Sequence, residues 1–128
     1  TYGIGSAIAT FKHVGYFFIA TEVGSDVCND ALKEIYKEIK MLQNEAIPET
    51  ELEMVRNYML GSFLKNSDGP FAMADRYKNL YLFGLDYPWY EDYLNTIKTI
   101  NPKQLQELAQ KYLNADTLTE VVAGSMKQ

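Results

Sequence analysis

The sequence predicts an α+β fold: a small antiparallel sheet, made of an N-terminal hairpin and a C-terminal strand, covered by four to five helices. Three observations predict it. Both ends of the chain alternate with period two, the strand period. The long middle repeats its apolar residues at three- and four-residue steps, the helix period. Short breaks rich in Gly, Pro, Asn and Asp separate the helical stretches.

The first strand is Tyr2 to Thr10. Tyr2, Ile4, Ser6, Ile8 and Thr10 share one face, and the small residues Gly3, Gly5, Ala7 and Ala9 share the other with Phe11. The small face allows close packing over it. A turn at Lys12-His13-Val14-Gly15 leads into YFFIATEV, whose aromatic and β-branched content marks a second strand. The short connection makes the pair an antiparallel hairpin.

In the next stretch Cys28, Leu32, Ile35, Ile39 and Leu42 form one helical stripe, with Ser25 or Asp26 as the expected cap and Asp30 near the positive end of the helix dipole. Pro48 suits a helix entry, and Glu49, Glu51 and Glu53 follow it. The expected stripe of that helix is Leu52, Val55, Met59 and Phe63. Asn66 to Pro70 is a break, with Asp68 as expected cap. The third helix runs through FAMADRYKNLYLF to Gly84, a residue suited to the left-handed C-cap. Pro88 opens a fourth helix, with Trp89, Tyr93, Ile97 and Ile100 on one face. Asn101, Pro102 and Gln104 make a capping box for a fifth, whose stripe is Leu105, Leu108, Ala109 and Tyr112. TLTEVVAG then alternates as a closing strand. Three strands are thin for so many helices, so the expectation is a single domain over 1–128 that forms part of a larger sheet, with further strands before Thr1.

The 128 residues carry a net charge of −5 with 12 scattered basic residues, which does not suit nucleic-acid binding. No apolar run approaches the roughly 18 residues that a membrane-spanning helix needs. One cysteine, Cys28, excludes an internal disulfide and reads as a small core residue; one thiol does not fix a compartment. The single histidine, His13, reads as an exposed turn residue. One His and one Cys cannot supply a zinc site of three or four ligands, so no metal ligand and no catalytic residue is expected in this chain. GIGS lies within a strand and lacks the third glycine and helix of a phosphate loop. The carboxylates read as solvated helix surface. Tyr77, Tyr81, Tyr87, Tyr90 and Tyr93 suit packing better than a stacking platform for sugars or bases.

The order of motifs adds to this. TYGIGSAIATFKHVGYFFIATEV, then IPETELEMVRNYMLGSFLKNSDGPFAMADRYKNLYLFGLD, then NPKQLQELAQKYLNADTLTEVVAG resemble the C-terminal part of a zinc metallopeptidase of the insulinase and mitochondrial-processing-peptidase family, the pitrilysin-like inverted zincins. The resemblance covers nearly the whole chain. Its most specific pieces are ELEMVRNYMLGSF and DGPFAMADRY. It implies two homologous α/β domains around a chamber. The N-terminal one holds zinc through H-x-x-E-H and a downstream Glu. The C-terminal one holds no metal and supplies an Arg and a Tyr that bind the substrate peptide. Tyr2 falls on that Tyr, and the Arg is expected upstream of Thr1. A phenol there can donate to a peptide carbonyl or to the oxyanion developing on it.

The leading expectation is therefore a non-catalytic C-terminal fragment of a zinc-dependent endopeptidase, inactive alone, that helps to enclose and bind the peptide. Its partner is the zinc domain of the parent or a catalytic subunit. Two alternatives stand beside it: an inactive docking subunit of a hetero-oligomer, and an unrelated α+β ligand-binding domain. The first reading also expects an open strand edge, which invites self-association.

Overall fold

The structure, a computed structural model, describes residues 2–124. Strands β1 (Gly3–Thr10) and β2 (Gly15–Glu22) precede helices α1 (Cys28–Asn44), α2 (Glu49–Lys65), α3 (Pro70–Phe83), α4 (Pro88–Thr99) and α5 (Pro102–Tyr112). A short 3-10 turn at Ala115–Thr117 follows. This is the α+β class that the two periodicities predict. The chain divides into two compact units, residues 1–45 with 108–128, and residues 46–107.

In the first unit β1 and β2 pair antiparallel, with Ser6 opposite Ile19 and Ile8 opposite Phe17. Phe11 N–H donates to Val14 O at 2.8 Å and closes the turn. Phe17, Ile19 and Thr21 are half-buried while Tyr16, Phe18, Ala20 and Glu22 are exposed. One face of β2 is thus covered. On β1 the corresponding residues Ile4 and Ile8 remain 61% and 71% exposed. The small face of Gly3, Gly5 and Ala7 is also open.

The stripe of α1 holds: Ile39 is buried and Cys28, Leu32, Ile35 and Leu42 are half-buried. Its start differs from expectation. Val27 takes the N-cap position without a side-chain bond, and neither Ser25 nor Asp26 caps the helix. A backbone turn, Val27 N–H to Gly24 O at 3.1 Å, sets the entry instead. Gln110 of α5 donates to Gln43 O at 2.7 Å, and the Gln43 amide donates to Leu113 O.

The expected closing strand does not form. Residues 115–117 turn, and 118–124 carry no strand ladder, so the sheet among the described residues has two strands. The physical reason is local. Asn114 accepts from Asp116 N–H at 3.1 Å and starts a turn just where the alternation begins.

In the second unit the covered side of α2 is rotated from the expected stripe. Leu52 is buried and Arg56, Leu60 and Phe63 are half-buried, whereas Val55 and Met59 are 44% and 38% exposed. Arg56 explains the rotation. Its Nε donates to Ile97 O at 3.0 Å and its Nη2 to Ile100 O at 2.7 Å, which satisfies carbonyls at the end of α4. The second arginine, Arg76, lies on α3. Its guanidinium carbon stands 4.0 Å from the Phe63 ring centre and 5.2 Å from that of Tyr90, and Nη2 donates to Phe63 O at 3.1 Å. Its buried Nε meets no hydrogen-bond acceptor.

Gly69 (φ 90°) rather than Asp68 stands before α3, with no side-chain cap. Gly84 ends α3 in the left-handed region, at φ 67° and ψ 29°. Pro70, Pro88 and Pro102 open their helices as expected. The capping box is formed in full: Gln104 N–H donates to the Asn101 side chain at 2.9 Å, and Asn101 N–H donates back to Gln104 Oε1 at 3.0 Å.

Candidate functional site

Tyr2 stands just before β1, held by its own N–H donating to Glu22 O at 3.0 Å. Its side chain is 91% exposed. Tyr2 immediately precedes the strand on which Ile4 and Ile8 are uncovered.

A second feature of the first unit escaped the sequence. β2, the first half of α1 and residues 117–124 enclose a cleft of about 810 Å³. Phe17, Ile19, Leu32 and Ile35 line one side, and Leu118, Val121 and Val122 the other. At its rim the Tyr36 phenol hydrogen-bonds Glu120. That bond, some burial and the negative charge of Glu120 raise the phenol above its ordinary pKa. The alternation of TLTEVVAG was a legible signal for this apolar wall, although it pointed to a paired strand.

The other singled-out residues are dispersed. His13 is exposed in the hairpin turn. Cys28 is a free, half-buried thiol at the start of α1. Among the described residues no three His, Cys, Asp or Glu side chains gather so as to hold a metal. The residues present therefore do not fit a zinc site, and no chemical step is assigned to a metal on this chain. Lys33 pairs with Asp30 and Lys78 with Asp75 at 3.1 and 2.7 Å on open helix surface. Such pairs contribute little.

The tyrosines split into two sets. Tyr90 and Tyr93 pack on Phe63, at 5.6 and 6.1 Å between ring centres. Tyr77 stacks with Tyr81 and Tyr87 at 6.4 and 6.1 Å, yet all three are at least half exposed. Among the described residues no helix is long and apolar enough to cross a membrane.

Residues 1–59 match the family described as Peptidase M16 inactive domain. Over that stretch the chain is similar to the M16, insulinase-like, peptidase family. The match spans β1, β2, α1 and the first part of α2. The resemblance read from the order of motifs is thereby supported over residues 1–59, the stretch that carries Tyr2. The family description is that of a domain without catalytic activity. No curated protein matches the chain.

Proposed function

We propose that this chain is the non-zinc half of a zinc-dependent metalloendopeptidase and helps to enclose and bind the peptide that another domain cleaves. The match of residues 1–59 to an inactive M16 domain carries the reading. In it, zinc is held elsewhere, by the H-x-x-E-H motif of the parent's N-terminal domain or of a catalytic partner subunit. This chain supplies a wall of the chamber. Tyr2 donates its phenol to a carbonyl of the bound peptide, and its exposure supports that role. Residues 1–128 form part of one domain of a larger peptidase. The uncovered Ile4 and Ile8 side chains support this, because an apolar face of that kind is normally covered.

The isolated chain is expected to cleave no quenched fluorescent peptide and to retain no zinc after dialysis against zinc chloride. Zinc retained at one ion per chain, or peptide turnover, would overturn the reading. With the zinc half present, Tyr2→Phe is expected to lower kcat/KM by about 100-fold, the effect of losing one donor to a developing oxyanion. An unchanged kcat/KM would remove Tyr2 from the site while leaving the family assignment intact.

A further inference from the structure

β1 has an outer edge with a definite pattern. The Phe11–Val14 contact at 2.8 Å fixes which pairs exchange backbone hydrogen bonds within the hairpin. Counting back in steps of two along the register, Ala9, Ala7, Gly5 and Gly3 bond to β2. The N–H and C=O groups of Ile4, Ser6, Ile8 and Thr10 therefore point away from β2. Among the described residues no strand pairs with them.

That edge has none of the usual guards. From Tyr2 to Phe11 there is no charge and no proline, and the ladder from Gly3 to Thr10 runs without a bulge. Negative charge elsewhere on a chain of net −5 would keep copies apart, but none of it lies on this strand. The strand is also self-complementary. About Ser6, an antiparallel copy places Ile4 beside Ile8, Gly5 beside Ala7, Gly3 beside Ala9 and Tyr2 beside Thr10. Apolar meets apolar and small meets small. Ile4, Ser6 and Ile8 fall on bonded positions in this register, while Thr10 meets Tyr2, whose N–H is already held by Glu22 O. A two-fold axis requires a surface of this kind, because each residue must fit its symmetry mate.

We infer that the outer edge of β1 is an interaction surface for a second copy of this chain, pairing antiparallel about Ser6 to make a four-stranded sheet. The exposed Ile4 and Ile8 of both copies then form one apolar strip on one face. The contact is small, below the roughly 1,200 Å² of weak transient interfaces, so it forms at high protein concentration. The inference rests on the hairpin alone, so failure of the peptidase reading would leave it standing.

Sedimentation equilibrium of the full chain up to about 1 mM, the weak end of measurable association, is expected to show a monomer–dimer equilibrium. Ser6→Lys and Ser6→Glu each place like charges opposite one another and should weaken it about fivefold or more. An equimolar mixture of the two variants should restore it, with circular dichroism checking that each is folded. In a Cys28→Ala background with oxidised glutathione, Ser6→Cys should crosslink to a dimer. Its symmetry mate lies about 5.5 Å away between Cα atoms, within disulfide reach. Ala7→Cys should not crosslink, because its mate is offset by two residues, about 8 Å away. A strict monomer, a mixture that fails to reassociate, or Ala7→Cys crosslinking as fast as Ser6→Cys would overturn the inference.

Discussion

Arg56 offers the sharpest test of how the second unit is held. Replacing it by alanine removes two charged hydrogen bonds, to Ile97 O at 3.0 Å and Ile100 O at 2.7 Å. Bonds to charged groups contribute about 1.5–3 kcal/mol each. Water can reach carbonyls at a helix end, so the pair is worth nearer the lower bound, about 3 kcal/mol in all. Loss of a cation beside the negative end of α4 adds about 0.5 kcal/mol. The ion pair to Glu49 is a competing explanation. It is 3.4 Å long, and the Glu49 side chain is 61% exposed while that of Arg56 is only 16% exposed. Screening limits that pair to at most about 0.5 kcal/mol. Urea denaturation is therefore expected to show Arg56→Ala destabilised by about 3.5 kcal/mol and Glu49→Gln nearly unchanged. Arg56→Lys keeps the charge but not the fork and should fall between them. A Glu49→Gln loss equal to that of Arg56→Ala would refute the assignment, since the ion pair would then be the anchor.

Three further outcomes follow from other contacts. Leu80, only 3% exposed, should lose about 2–4 kcal/mol on change to alanine, read by the urea midpoint, because a cavity remains in a small core. Asn101→Ala opens the reciprocal cap of α5 and should cost about 1 kcal/mol, measured in the same way. Tyr36 titrates above its ordinary value beside Glu120, so its protonated phenol is favoured by folding. That contribution is fully present below the unfolded phenol pKa and is lost as pH rises through the raised folded one. Glu120→Gln should lower the Tyr36 midpoint, followed by NMR of its ring.

Local signals were legible wherever one residue decided the outcome. Pro70, Pro88 and Pro102 open helices because each fixes φ and needs no hydrogen-bond partner there. Gly84 closes α3 because it accepts positive φ. The α1 stripe was legible because its apolar spacing is clean. The α2 stripe was misread because a polar residue, Arg56, turns inward to reach another helix, and apolar counting cannot see that. The tail was misread for the opposite reason. Its alternation records an apolar wall facing the cleft, while a turn at Asn114 keeps it from the ladder. The fold of residues around Tyr2 followed from pattern alone. Its proposed chemistry came only from the order of motifs, since an exposed phenol has no local mark of function.

The contact of Arg76 with the Phe63 and Tyr90 rings bears on solution behaviour. A guanidinium set against the contacting Phe63 and Tyr90 rings and bonded to a carbonyl has, among the described residues, no carboxylate partner to be neutralised by acid. Mobile ions reach such a half-buried contact poorly, unlike the open lysine pairs of α1 and α3. The joint among these three helices should therefore persist in brine and in vinegar alike.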